Sequence, residues 1–387
     1  MKIVLVGTAY PLRGGIAHYL ALLYKHLSAR HRVEIVTFSR QYPALLFPGK
    51  SQKEEGGESV AVPSVPLIDS INPFTWWSAG RAIARGNPDV VVFKYWLPFF
   101  GPCFGTIARV VRKRTNGRVV FICDNVIPHE PRPGDRMFTR FAFRSVDFFI
   151  VQSGAVERDL RSFWPSARYA LVPHPIYEIF GRSMPKVKAR QQLGIAPRER
   201  VLLFFGYIRA YKGLMTLLRA MPAIRAQIPV RLLVVGEFYE DDEPYRKVID
   251  ELGIAQSVDL RGDYVPNEKV APFFCAADVV VLPYRSATQS GIVQIAYQFD
   301  KPVIATDVGG LTEVVRDGVS GLIVPAENHE ALADAVIRFF KKRMEGRLTL
   351  GVKKEKKKYS WDALVRAIEE AGSPHEVQPG FTKRGKP

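Results

Sequence analysis

Short apolar runs alternate with longer amphipathic stretches along almost the whole chain. In the first half the runs cover 3–6, 33–38, 90–93, 119–123 and 146–151, and the stretches between them read as helices over 16–27, 73–85, 104–114, 136–144 and 155–163. Several runs are apolar throughout, as expected of strands covered by helices on both faces. In the first helix Leu20, Leu23 and Leu27 share one stripe, the side that packs on a sheet. A second series follows residue 185, with strands over 201–205, 231–235, 258–261, 279–282, 302–305 and 322–324. Its helices fit 213–224, 244–252, 267–275, 291–299 and 329–342. This rhythm of βα units predicts an α/β protein with two parallel-sheet domains of the same general type.

The breaks in the pattern place the boundaries. Pro173-His174-Pro175 cannot continue a helix, and Gly181 to Pro185 has no apolar period. The predicted domains are 1–180 and 181–358, followed by a returning helix and flexible tail over 359–387. On that helix Trp361, Leu364, Val365 and Ile368 form an apolar stripe that needs a docking surface, expected on the first domain. The stretch 41–64 reads as an exposed excursion, and 371–387 as loosely held.

Composition narrows the class. Of 387 residues 47% are apolar and 24% charged, which excludes global disorder. Cys103, Cys123 and Cys275 cannot build a disulfide framework and show no metal-ligand spacing, so a reducing, cytoplasmic setting is expected. The opening run 1–7 is too short for a signal peptide, and no segment supplies the roughly 20 apolar residues of a membrane span. The net charge of +17 points to anionic partners: nucleotide phosphates, an acidic membrane face or nucleic acid.

In doubly wound domains ligands sit beyond the carboxyl ends of the strands. After the first strand, Gly7 to Ile16 carries Gly14-Gly15 at a helix start, where backbone N–H groups can approach an anion. The alternative is an ordinary tight turn. The segment is neither G-x-G-x-x-G nor a Walker loop. In the second series Phe205-Gly206 leads through Arg209 and Lys212 to Gly213; two cations three apart can clamp a diphosphate, or be solvated loop charges. Ser290-Gly291-Ile292 opens another helix and offers a third anion-receiving terminus or a plain cap.

With these residues the chain resembles retaining nucleotide-sugar glycosyltransferases of the GT-B fold, two facing Rossmann-like domains, and in particular glycosyltransferase family 4. The strongest match is Lys301-Pro302-Val303-Ile304-Ala305-Thr306-Asp307-Val308-Gly309-Gly310 through Glu313, Asp317-Gly318, Gly321-Leu322 and Pro325. Gly206 to Gly213, Val235-Gly236 and Gly14-Gly15 support it in family order. The resemblance implies that Arg209 and Lys212 neutralise the donor diphosphate, and that Gly14 and Gly15 close over the donor. It makes Ser290, Gly291 and Ile292 a backbone contact, and Glu237 and Val265 nucleotide-side positions. Two departures stand out. Ala287 and Ile295 occupy the places of two glutamates usual in the family, and 284–299 contains no Asp or Glu; Gln289 or Gln294 would supply neutral hydrogen bonds instead. Asp124 falls where relatives often have His.

The resemblance implies metal-independent transfer of a sugar from a nucleoside-diphosphate donor (UDP or GDP type) to a glycan or lipid-linked hydroxyl, in polysaccharide or cell-envelope glycan synthesis. No resident cofactor is expected. The competing classes are a non-catalytic sugar-nucleotide-binding protein and a GT-B nucleotide-sugar epimerase. Candidate acceptor or sugar contacts are His18, Trp96, Asp124, Asn125, His129 and Glu130. The aromatics of 95–100 suit a sugar-stacking surface, a lipid-facing wall or a packed loop. Residues 105–169 net +6 and 337–358 net +8. The first stretch fits basic helices on an anionic membrane or a solvated face; the lysines of 353–358 fit the same membrane or a flexible connector. Nucleic acid ranks below these, because no recognition motif accompanies the charges.

Overall fold

A computed structural model describes residues 1–12, 14–43, 52, 61–127, 132–287 and 290–373. The described residues divide into two compact units, one holding those up to 175 and again those from 360, the other those of 176–359.

The first unit is a seven-stranded, wholly parallel sheet in the order β3-β2-β1-β4-β5-β6-β7. Its strands are β1 (Lys2–Val6), β2 (Arg32–Arg40), β3 (Val65–Asp69), β4 (Val90–Tyr95), β5 (Arg118–Cys123), β6 (Phe148–Val151) and β7 (Tyr169–Leu171). Between them run α1 (Gly15–Ser28), α2 (Pro73–Arg85), α3 (Gly101–Arg114), α4 (Asp135–Phe143) and α5 (Gly154–Phe163). The all-apolar runs are the central strands, and β4 is buried at every position. Two strands escape the sequence pattern. β3 is an edge strand, largely exposed and holding Pro66, and β7 has only three residues, so neither forms a buried run.

The second unit is a six-stranded parallel sheet in the order β10-β9-β8-β11-β12-β13. Its strands are β8 (Val201–Phe205), β9 (Arg231–Val235), β10 (Val258–Arg261), β11 (Val279–Leu282), β12 (Val303–Thr306) and β13 (Gly321–Val324). Its helices are α6 (Lys186–Leu193), α7 (Leu214–Gln227), α8 (Glu243–Glu251), α9 (Ala271–Ala276), α10 (Gly291–Gln298), α11 (Leu311–Val314), α12 (His329–Lys341) and α13 (Glu345–Glu355). The lysine run is no flexible connector. It ends α13 and forms a short 3-10 turn, with Lys356 bonded to Asp300 and Lys358 to Glu355.

The last helix, α14 (Trp361–Gly372), packs in the first unit against α1 and β5, as its apolar stripe predicts. Trp361, Leu364, Val365 and Ile368 are all buried there. His31 Nε2 and Glu369 Oε1 meet at 2.7 Å. All three cysteines are free and buried.

Candidate functional site

In each sheet the strand order reverses beside the first strand of its unit, at β1/β4 and at β8/β11, and the candidate residues gather at the carboxyl ends there. In the second unit β8 runs directly into Gly206. Arg209 is extended, a 3-10 turn covers Ala210–Lys212, and Gly213 immediately precedes α7. Gly213 has φ +71°, and a side-chain carbon on it would lie 1.8 Å from the Pro283 carbonyl oxygen, so the loop closes this tightly only around glycine. Arg285 N donates to Tyr211 O at 2.7 Å and fastens the same loop to the one after β11.

That closure aims Lys212 inward. A side-chain carbon at Gly206 would sit 3.2 Å from Lys212 Nζ and 3.0 Å from Ile292 Cδ1, so the ammonium and the first turn of α10 converge on one glycine. Ser290 caps α10, its Oγ accepting from Ile292 N at 3.3 Å, and Tyr284 OH stands 3.4 Å from Ser290 Oγ. The Lys212 ammonium is 5.7 Å from the centre of the Tyr284 ring, and the Arg209 guanidinium 5.0 Å from that of Tyr239. Burial, reinforced by the charge of Arg209, pulls Lys212 down to about 8. A desolvated cation beside a helix N-terminus is an arrangement suited to an anion.

Gln294 is 2% exposed on α10, and its side-chain carbonyl oxygen has no hydrogen-bond partner among the described residues. Such a buried acceptor is costly unless a ligand meets it. Ala287 and Ile295, where the resemblance expects carboxylates, are buried side chains without polar groups. Gln289 lies outside the described residues. Glu237 is buried directly after Gly236, and Ile208 N donates to its carbonyl at 2.8 Å. Val265 lines a cavity of about 790 Å³ beyond β9 and β10. Glu240, Asp241, Asp242 and Asp263 line it together with Arg246 and Arg261, so both signs of charge face it.

In the first unit Gly14 has φ +113° with open space around it, and Gly15 begins α1. His18 is buried one turn on, its backbone N–H donating to Gly14 O at 3.2 Å. Trp96 is committed to packing. Its ring centre lies 4.4 Å from that of Phe100, and its N–H donates to Tyr42 OH at 3.2 Å. Tyr95 and Phe100 are fully buried in this packed loop, while Trp96 and Phe99 are half-buried. Asn125 donates to Trp96 O at 3.3 Å. Asp124, after β5, is buried and accepts from Lys94 Nζ at 2.6 Å. His129 and Glu130 lie outside the described residues. Sequence reasoning passed over Lys94, although a lysine inside an otherwise apolar strand is a visible signal.

Comparison with known proteins follows the same two halves. The family model "Glycosyl transferase 4-like domain" matches residues 14–175, and "Glycosyl transferases group 1" matches 199–342. The chain is similar to D-inositol 3-phosphate glycosyltransferase of Acidothermus cellulolyticus, with 25% identity covering 92% of this chain and 84% of that protein. The Nocardioides protein of the same name is 32% identical over 73% of this chain and 66% of its own length. Among solved structures, Anabaena Alr3699/HepE in complex with UDP superposes with a TM-score of 0.74 at 17% identity, covering 96% of this chain and 99% of that one. Sucrose-phosphate synthase from Thermosynechococcus elongatus gives 0.71 at 20% identity, covering 96% and 98%.

Proposed function

We propose, for a chain that belongs to glycosyltransferase family 4 and is itself a glycosyltransferase of the GT-B fold, that it moves a sugar from a nucleoside diphosphate to an acceptor hydroxyl with retention at the anomeric carbon. The observation that carries this reading is the meeting of Lys212 Nζ and the first turn of α10 beside Gly206. Departure of the diphosphate is the hard event, and charge builds on its oxygens as the sugar bond breaks. Arg209, Lys212 and the N–H groups at 290–292 are placed to stabilise that charge. Two cations and a helix start supply what a divalent ion supplies elsewhere, so activity survives chelation. Gly14 and Gly15 offer backbone donors at the start of α1 in the first unit, Gln294 accepts from a donor hydroxyl, and Glu237 and Val265 border the nucleoside. In this reading the first unit is the acceptor side and the second the donor side.

A leaving-group oxygen takes the acceptor proton on the face it departs from, which gives retention without a protein nucleophile. A UDP sugar is the first donor to try, because the HepE structures that the fold resembles hold UDP, UDP with glucose, and UDP-glucose. Asp124 and Asn125 are the described polar groups proposed to meet sugar or acceptor hydroxyls. A donor screen by calorimetry and product mass spectrometry, with and without chelator, tests the reading, and the anomeric coupling constant of the product tests retention. Product formation only with added metal overturns metal independence.

The acceptor is read as a glycan or lipid-linked hydroxyl at an anionic membrane. α3 carries Arg109, Arg112, Lys113 and Arg114 with no acidic residue, and the neighbouring α4 carries Arg136 and Arg140 beside Met137, which is 64% exposed. Basic side chains around an exposed apolar one suit an acidic lipid surface. No helix among the described residues is long and apolar enough to cross a membrane. Flotation with phosphatidylglycerol vesicles but not phosphatidylcholine vesicles, abolished by salt, is the expected result.

A further inference from the structure

Four polar side chains from four separate elements meet at the carboxyl edge of the first sheet. Lys94, near the end of β4, donates to Asp124 Oδ1 at 2.6 Å and to Gln152 Oε1 at 2.9 Å. Its ammonium lies 3.7 Å from the centre of the Tyr19 ring on α1. Gln152, just after β6, donates in turn to Tyr19 OH at 2.8 Å. Lys94 is 2% exposed. His174 stands edge-on to Tyr19 with ring centres 5.2 Å apart; burial and the nearby ammonium push it down to about 4, so it adds no charge at neutral pH.

A buried ion pair is a weak source of stability, and an apolar side chain would fill the place of Lys94 without desolvating a charge. The place matters more. β4 borders β1 where the strand order reverses, and Thr8, two residues beyond β1, is 1% exposed with a hydroxyl that has no partner among the described residues. A satisfied charge network and an unmet hydroxyl share the edge at which parallel sheets take their ligands. At the opposite end of the second sheet, by contrast, the buried pair Arg190 and Asp278 ties helix α6 to the start of β8, a purely architectural task.

We infer that Lys94 is a positioning residue for transfer: with Gln152 and Tyr19 behind it, it holds the Asp124 carboxylate in one direction at the switch point, where Asp124 accepts a hydroxyl of the donor sugar or the acceptor. A carboxylate offers roughly four acceptor directions, so Asp124 can keep the Lys94 bond beside other partners. Asp124 touches the sugar; Lys94 acts through it. The inference rests on the transferase reading above, and nucleotide binding by the second unit provides a separate readout of that reading.

The test uses the full chain with Lys94→Gln and Asp124→Asn together, which keeps size and hydrogen bonding but removes both charges. The variant is expected to melt near the natural chain and to bind UDP or GDP with unchanged affinity, while kcat falls by about 30-fold. A rise in the donor KM identifies a donor-sugar hydroxyl, and a rise in the acceptor KM an acceptor hydroxyl. Tyr19→Phe, which removes only the hydroxyl that orients Gln152, is expected to lower kcat by about threefold with the fold intact. A folded double variant that keeps its kcat overturns the inference. Should the double variant not fold, a folded Tyr19→Phe chain with unchanged kcat overturns it instead. Loss of nucleotide binding by the natural chain would strike the transferase reading itself.

Discussion

The indole of Trp361 lies parallel to the imidazole of His26, with ring centres 5.2 Å apart and planes 8° from coplanar. The same indole meets the ring of Tyr19 at 5.3 Å, so the first residue of the last helix is fastened twice to the first helix. Trp361→Ala removes both contacts and leaves a cavity, which costs about 3–5 kcal/mol. Differential scanning calorimetry of the full chain is expected to show a lowered transition. An unchanged thermogram would mean that α14 is not structurally required.

Arg209→Ala and Lys212→Ala are expected to reduce kcat by about 100-fold each, the scale of losing one preorganised donor to a developing anion. Stability is the control. Lys212 is a buried cation with no salt-bridge partner among the described residues, so its removal does not lower the melting temperature as loss of a structural lysine would. Full transfer by both folded variants removes the phosphate assignment.

The depressed value of Lys212 gives a pH signature of definite sign. Below about 8 the native ammonium is charged at a desolvation cost; between about 8 and the ordinary lysine value of 10.5 the unfolded chain holds a proton that the native chain lacks. This group therefore adds stability as pH rises through that window. Diphosphate binding runs the other way, since it needs the charged amine. At pH 9, binding of UDP is expected to take up a proton, visible as a dependence of calorimetric heat on buffer ionisation enthalpy. Lys212→Ala should abolish that dependence; its persistence would assign the proton elsewhere.

Gln294→Leu separates stability from function. Replacing a buried, unpartnered amide oxygen with a carbon skeleton of similar size stabilises the fold by about 1–3 kcal/mol. The donor KM is expected to rise by about tenfold, because a donor hydroxyl loses its acceptor. A chain that melts higher with an unchanged donor KM would return Gln294 to the core.

Much of this architecture was legible because burial on both faces writes itself as uninterrupted apolar runs. β8 and β11 are such runs, as are 3–6 of β1 and 90–93 of β4, and the four residues of the α14 stripe announced a docking face before any partner was known. β3 and β7 were illegible because an exposed edge and a three-residue strand leave no run to read. At the candidate site, spacing singled out Arg209, Lys212 and Ser290 as strand-end residues, since loops there are short and ordered along the chain. It could not reveal that Gly206 draws Lys212 and Ile292 together, nor that Lys94, Asp124, Gln152 and Tyr19 meet. Those are relations between neighbouring strands, set by sheet order and not by distance along the sequence.

The chain leaves the first unit at Pro175 and re-enters it at Ser360. During translation the groove that receives α14 thus stays uncovered until the entire second unit has been made, so the half begun first is finished last. A ribosome that stops short of Trp361 releases a first unit with an open greasy seam, the kind of surface that chaperones and proteases recognise. The lobe that holds Asp124 and Lys94 is therefore sealed only by residues translated after the whole second unit.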